Sequence, residues 1–442
     1  MTETTVIDAM CGAGKTSYAI QMMNESYQQG LETVEGFGED IIFDKSDRFI
    51  YVTPFLNEIE RVKNQTTINI SSPMNKPTKS KHVDMLVKYG NNIAMTHELF
   101  ARLTVDTLSE IELQGYTLIM DEVANVLQQV NISKRDIEVL VSSGLIEIKE
   151  NGKVNWIDEE YNSTDCDGQR FNRFNDIKVL AEKDNLYIQN GAAMFWIMDV
   201  QSFYSFNEVY ILTYLFDGQI QKYYYDMYEL DYTKKSVIKQ NDRYALTDYD
   251  NLKEDRENVD KLLNIYEDGI AETGRKSYLN SNFVDKPANW DLSSGWFERA
   301  SKEQIEQLKR NLYTYFRRHH DTANKKLFWT TTKSMAETIK TKKTTYNKNN
   351  DRAKDNFLPL NARATNEYRD RTAMAYVYNR FMNPMEKSFF NNRGISVNED
   401  MLAQSDLIQF LFRGCIRNNE VMNCYIPSKR MRELLYDWLE YK

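Results

Sequence analysis

Cysteine is scarce. The 442-residue chain has four, Cys11, Cys166, Cys415 and Cys424, and no Cys-x-x-Cys pair. That argues against a disulfide framework and a zinc site built on paired cysteines, and it fits a reducing cytoplasm. Histidine also numbers four. His319-His320 and the segment Asp165-Cys166-Asp167-Gly168 lack a second ligand cluster, so neither is read as a metal site. No apolar run reaches membrane-spanning length, and the N-terminus lacks a basic stretch followed by an apolar one. A cytoplasmic protein with no membrane partner is expected, and the sequon-like Asn162-Ser163-Thr164 then carries no meaning. Positive charge does not dominate either. The formal net charge is −9, so a nucleic-acid ligand would need a local basic surface.

What is present is an ordinary globular composition, 41% hydrophobic and 27% charged, in a chain long enough for two domains. Short apolar runs at Thr4–Asp8, Phe49–Thr53, Asn92–Met95, Tyr116–Met120 and Glu208–Thr213 read as strands. Helical patterns at Thr16–Met23 and Asn57–Lys63 sit between them. This alternation predicts an α/β domain with a parallel sheet, over residues 1–235. A polar stretch, about Asn151 to Asp176, reads as an insertion or mobile loop within it (150–180). Residues 236–320 read as a mainly helical, charged linker. Alternation resumes over 321–442, with strands at Leu327–Thr331, Ala373–Tyr378 and Val421–Ile426. A last helix is capped by Ser428, and Met431, Leu434, Leu435, Trp438 and Leu439 form its core stripe. Tyr223-Tyr224-Tyr225 could stack bases, but fits better in a half-buried strand.

Chemistry concentrates in two places. Ala9-Met10-Cys11-Gly12-Ala13-Gly14-Lys15-Thr16 joins the first strand to the first helix. Small residues at Gly12, Ala13 and Gly14 let backbone N–H groups approach a polyphosphate, and the helix N-terminus adds its positive dipole end. Lys15 would reach the β- and γ-phosphates, Thr16 would hold Mg²⁺, and Ser17 completes the nucleotide-binding run. The second place is Leu118-Ile119-Met120 running into Asp121-Glu122. Asp121 would bind Mg²⁺ and Glu122 would orient an attacking water.

Together these segments resemble motifs I and II of superfamily 2 helicases, the DEAD-like group. Asp121-Glu122-Val123-Ala124 departs from the family at Ala124, where an Asp or His usually couples the ATP site to motif III. Thr53-Pro54-Phe55, with Glu58 and Arg61, resembles motif Ia. Thr96-His97 resembles the Thr-His segment before motif II, Leu212-Thr213-Tyr214 falls at motif III, and the stretch from Asn361 to Asn366 is similar to motif V. Gln409-Phe410-Leu411-Phe412-Arg413 through Arg417 resembles motif VI. There the glutamine faces the nucleotide and an arginine reaches the γ-phosphate from a second domain. Ile416 holds the usual second-arginine position, so Arg413 or Arg417 could be the finger, and the latter is favoured slightly. Gln409, Arg413 and Arg417 share one face if the helix is regular. With Tyr425-Ile426-Pro427-Ser428, the compact form looks like helicase-type proteins of bacteriophages.

The resemblance implies two RecA-like domains clamping ATP and Mg²⁺, and movement on or unwinding of nucleic acid, DNA ahead of RNA, with replication or recombination proteins as candidate partners. It implies nucleic-acid contacts at Thr53, Pro54, Arg61, Thr96, His97, Arg363, Thr365 and Asn366. Residues 325–371 carry a local excess of Lys and Arg, which suits phosphate binding, with Thr332 and Lys333 among the contacts. Two other readings stay open: a terminase-like packaging ATPase, and a nucleotide-gated binding regulator without unwinding.

Overall fold

The computed structural model of the chain describes residues 2–34, 41–158, 174–270, 276–282, 288–319, 322–344, 356–360 and 367–441. In chain order, β1 (Glu3–Asp8), β2 (Phe49–Thr53), β3 (Ile70–Ser71), β4 (Asn92–Thr96) and β5 (Thr117–Asp121) are the strands of the large sheet up to the acidic pair. Then come β6 (Leu127–Gln129), β7 (Leu186–Gln189), β8 (Ala193–Ile197), β9 (Glu208–Thr213), β10 (Thr233–Gln240) and β11 (Arg243–Asp248). The large sheet has the order β11-β10-β1-β9-β5-β2-β4-β3. Its neighbours run parallel except in the β10–β11 hairpin. Every residue of β2 and β5 is buried, as central parallel strands covered on both faces require. On one face α1 (Lys15–Gly30) buries Ala19, Ile20 and Met23 against Ile7, Tyr51, Ile119 and Leu212. Each such large side chain contributes about 1.5–3 kcal/mol by burial. The helices α2 (Leu56–Gln65), α3 (His97–Phe100), α4 (Val105–Gln114) and α5 (Ile220–Met227) follow in sequence.

Register fixes the working edge. Asp8 lies beside Thr213, Leu212 beside Asp121, and Thr53 beside Thr96. The Gly12–Thr16 loop and the Asp-Glu pair therefore leave the same C-terminal edge, where α/β sheets bind ligands.

The segment between β5 and β9 is more than a loop. The strands β6, β7 and β8 form an antiparallel sheet, and Ile146–Ile148 pairs with Val154–Trp156. Ile137, Leu140, Ile146, Val154, Ile177 and Met194 make a separate small core. This corrects the reading of Asn151 to Asp176 as irregular: Val154–Trp156 is a strand, and Asn175–Glu182 is a helix that buries Ile177 and Ala181. Residues 159–173 lie outside the described residues.

The mainly helical reading of 236–320 is also corrected. The segment opens within the β10–β11 hairpin and includes β12 (Leu263–Ile265) before α6 (Lys302–Thr314). Its charges had masked Val237, which packs on the first sheet's core. The tyrosine run, expected in a strand, lies on α5. All three rings are buried, amid Phe203, Phe216, Phe390 and Tyr232.

The second sheet adds β13 (Leu327–Thr330), β14 (Ala373–Tyr376) and β15 (Met422–Tyr425) in the order β12-β15-β14-β13, all parallel. The helices α7 (Lys333–Ile339), α8 (Glu399–Leu411) and α9 (Lys429–Leu439) belong to it. The Ser428 hydroxyl caps α9 by accepting from the Met431 N–H at 3.5 Å, and the predicted stripe is buried. Two parallel-sheet α/β units in tandem are what the alternation predicted.

Candidate nucleotide site between the two sheets

The loop after β1 is shaped by glycine. Gly12 and Gly14 have φ of +93° and +101°, where a side chain costs roughly 1 kcal/mol or more. A Cβ on Gly14 would lie 2.1 Å from Cε1 of Tyr244. That ring comes from β11, and the Gln21 side chain clasps its backbone through bonds of 2.8 and 3.0 Å. Sequence reading missed Tyr244, because only the hairpin's pairing beside β1 brings it there. Above Gly12 a Cβ would meet nothing within 4 Å. The loop closes on itself through Ala13 N–H to the Met10 carbonyl at 3.1 Å, and the first helical bond runs from Tyr18 N–H to the Gly14 carbonyl at 2.8 Å. The Lys15 ammonium donates to the carbonyls of Ala9 and Met10, at 2.5 and 3.2 Å. Thr16 and Ser17 are half-buried on the first turn.

Asp121 is nearly fully buried at the end of β5, and accepts a 2.9 Å hydrogen bond from the Tyr51 hydroxyl. Burial, then the neighbouring Glu122 carboxylate, pushes its carboxyl up to about 7, while the Tyr51 bond and Lys15 pull it down. Tyr51 is a second residue the sequence reading missed, and its place two residues before Thr53 on the adjacent strand was the available signal. Glu122 has φ +70°, and its N–H donates to the Leu212 carbonyl at 2.9 Å. Strain of this kind collects at functional sites. His97 Nε2 lies 3.1 Å from the Asp121 carbonyl. The Ala124 N–H donates to Oε1 of Gln221 at 2.7 Å, so a backbone group links the acidic segment to α5.

These residues fit a nucleotide polyphosphate with a divalent cation. The loop presents glycine-shaped backbone and a lysine near open space, and a cation would relieve the burial of the Asp121 carboxylate.

The second sheet meets this edge through residues 214–219. The Gln409 amide, on α8, donates to the Tyr214 carbonyl and to the Ser405 hydroxyl, both at 3.3 Å. Trp438 Nε1 donates to the Tyr214 hydroxyl at 3.0 Å. Gln409 and Arg413 also line a cavity of about 400 Å³ with Thr332, Lys333, Arg380 and Asp406. The regular-helix assumption for Gln409, Arg413 and Arg417 fails. The helix α8 stops at Leu411, and Arg417 lies on a short 3-10 turn, Cys415–Asn418. That turn is tied to the Arg371 carbonyl by the Cys415 N–H at 3.0 Å and to the Arg369 carbonyl by Asn418 at 2.9 Å. Gly414 makes this possible, since a Cβ there would sit 2.5 Å from the Met422 sulfur. Arg413, buried beside Gln409's cavity, is better placed than Arg417.

The expected nucleic-acid contacts divide. Pro54 and Arg61 are partly exposed, and Arg61 pairs with Glu58 at 3.1 Å. Thr53 is fully buried at the strand end, which corrects its reading as a surface contact. The Thr96 hydroxyl accepts from the Leu99 N–H to start α3, and His97 is half-buried. Lys333 is exposed and Thr332 half-buried on the cavity wall. Arg363, Thr365 and Asn366 lie outside the described residues. Within the basic stretch, Arg371 is buried and donates to the Leu327 carbonyl and Asn356, at 2.7 and 2.6 Å, and Lys326 pairs with Asp370 at 3.5 Å. Those two charges serve the fold. Among the described residues no cluster of three metal-ligating side chains occurs, and no helix is long and apolar enough to cross a membrane.

Over its whole length the chain is 35% identical to the SPbeta prophage-derived uncharacterized protein YonV of Bacillus subtilis (strain 168), covering 99% of that protein. The chain belongs to the YonV family. Residues 127–196 match the family model for the YonV middle domain, and residues 257–439 match the YonV C-terminal Rossmann-like domain. The first range is the inserted small sheet; the second holds the second parallel sheet. Among solved structures, this YonV family member resembles that of S. tokodaii Xpd4, with a TM-score of 0.51 and 12% identity over 98% of the chain and 94% of Xpd4. A structure titled XPD_Helicase matches with a TM-score of 0.49 and 11% identity over 100% of the chain and 94% of its own. The likeness to Xpd4 is one of fold, that of tandem RecA-like units.

Proposed function

We propose that this protein is a nucleic-acid-dependent ATPase that translocates on or unwinds DNA, with RNA the second choice of track. The observation that carries the reading is the shared sheet edge. The Gly12–Thr16 loop, the Asp121-Glu122 pair and the 214–219 segment leave it together, and the last touches Gln409. The unit of the first sheet supplies Lys15 and Thr16 after β1 and Asp121 and Glu122 at the end of β5; the unit of the second supplies Gln409 and Arg413. Lys15 and the loop N–H groups hold the phosphates. Thr16 and Asp121 hold Mg²⁺, which supplies charge neutralisation when bound. Glu122 orients water, and the arginine offsets charge that develops at the far side. Coupled opening and closing of the two sheets then moves the chain along a strand. The prophage origin of the YonV relative favours a phage setting, in which replication or recombination proteins are fitting partners. ATP turnover measured with single-stranded DNA, double-stranded DNA and RNA tests the reading; absence of turnover with all three would favour the regulator. The terminase-like alternative would show instead as metal-dependent nuclease activity.

A further inference from the structure

One buried carboxylate is left unused by this mechanism. Asp8 ends β1, immediately before the phosphate loop, and is fully buried. Its two oxygens accept the backbone N–H groups of Leu215 and Phe216, at 2.8 and 3.0 Å. Lys234 on β10 stands 3.5 Å from it, pairs with Asp217 at 2.7 Å and packs 3.9 Å over the Tyr249 ring. A buried carboxylate so held makes strong charge-assisted bonds, because little else can solvate it. The segment it grips is strained. Leu215 has φ +56°, a conformation that costs a non-glycine residue roughly 1–3 kcal/mol. The same segment is where the two sheets touch. A Cβ on Gly218 would lie 2.4 Å from the Met401 carbonyl oxygen of α8, and the Ser405 hydroxyl accepts from both Gln219 and Gln409.

We propose that Asp8 is a positioning residue. It ties the phosphate loop to the 214–219 strap, so that nucleotide occupancy of the loop is felt at Ser405 and Gln409 of the second sheet. This rests on the nucleotide reading of the loop. It offers a second route between the ATP site and the interdomain contact, beside the backbone link at Ala124. Coupling of this kind requires an element with two arrangements, a role we assign to the strap, which is strained, gripped at one end by Asp8 and at the other by α8.

The test combines hydrogen exchange with kinetics on the full chain. A fluorescent ADP analogue with Mg²⁺ first measures binding. In wild type, Mg²⁺ with ADP or a non-hydrolysable ATP analogue should change amide protection in the peptide carrying Leu215 and Phe216. In Asp8→Asn that change should vanish. Nucleotide affinity should stay within about twofold while nucleic-acid-stimulated kcat falls about tenfold, as expected when one charge-assisted bond of a coupling element is lost. Ser405→Ala removes the receiving hydroxyl and leaves Asp8 intact. It should keep the protection change and lose a similar share of stimulated kcat. A silent peptide in nucleotide-bound wild type, or an undiminished response in Asp8→Asn, would overturn the proposal. So would a wild-type stimulated rate in Ser405→Ala, which keeps the test decisive if Asp8→Asn fails to fold. Failure of wild type to bind the fluorescent analogue would instead overturn the nucleotide reading, and the tie with it.

Discussion

Asp121 should oppose folding at neutral and alkaline pH, because its carboxylate is buried beside that of Glu122. Its carboxyl is held at about 7 against an ordinary 3.8. A carboxyl raised on folding binds its proton more tightly in the folded chain. Stability is therefore lost as pH climbs through the window between the two values, and the full cost is present above about 7. Three pH units at 1.36 kcal/mol each give a cost of about 4 kcal/mol. Asp121→Asn keeps the shape and an oxygen for the Tyr51 hydroxyl but removes the charge. With chelator and without nucleotide, its melting temperature at pH 8 should exceed that of wild type by about 8–16 °C, taking about 2–4 °C per kcal/mol for a domain of this size. At pH 5, about one unit into that window, the gap should shrink to less than half of its pH 8 value, roughly 40% of it. Mg²⁺ with nucleotide should raise wild type and leave the variant behind. Thermal unfolding by circular dichroism at the two pH values decides it. An unchanged melting temperature at pH 8, or an equal gap at pH 5, would refute the reasoning.

Other consequences follow from the same geometry. Tyr51→Phe removes the hydrogen bond that lowers the Asp121 carboxyl; the acid limb of the ATPase pH–rate profile should move to higher pH, and an unmoved limb would contradict the assignment. Gly14→Ala places a methyl against the Tyr244 ring at a φ of +101°; nucleotide affinity should fall at least about tenfold, the loss carried by roughly 1–3 kcal/mol of backbone strain. Equilibrium binding of a fluorescent nucleotide reads that loss. Arg413→Ala should reduce stimulated turnover by about 10³, the size expected of an arginine finger, whereas Arg417→Ala should stay within a few-fold. The reverse order, in steady-state assays of variants with wild-type melting, would return the role to Arg417.

The parallel strands were legible because each is a short apolar run between helical patterns; Phe49–Thr53 and Glu208–Thr213 have the ends predicted for them. The Gly12–Thr16 loop and the Asp121-Glu122 pair follow strands at one sheet edge, as their flanking apolar runs predicted. What escaped depends on packing across distance. Residues from 236 read as the start of a helical, charged linker, yet they complete the hairpin Thr233–Asp248, which extends the sheet and seats Tyr244 on Gly14. The tyrosine run has the aromatic content of a strand, yet it lies on a helix whose three rings all enter one core, a packing that nothing local in the sequence announces. Asp8 looked like the end of a strand, since nothing local says that Leu215 and Phe216, some two hundred residues on, bring their N–H groups to it. The break at Gly414 that separates Arg413 from Arg417 reflects a close approach to Met422, which residue spacing does not encode.

The central claim is that the loop at Lys15 and the pair at Asp121-Glu122 form one ATP-hydrolysing site driven by nucleic acid. Its most direct test is steady-state phosphate release by wild type and Lys15→Ala, with Mg²⁺ and saturating single-stranded DNA, alongside binding of the same DNA. The account predicts that DNA stimulates wild-type turnover, and that Lys15→Ala abolishes it while still binding the strand. Equal turnover by the two proteins would contradict it.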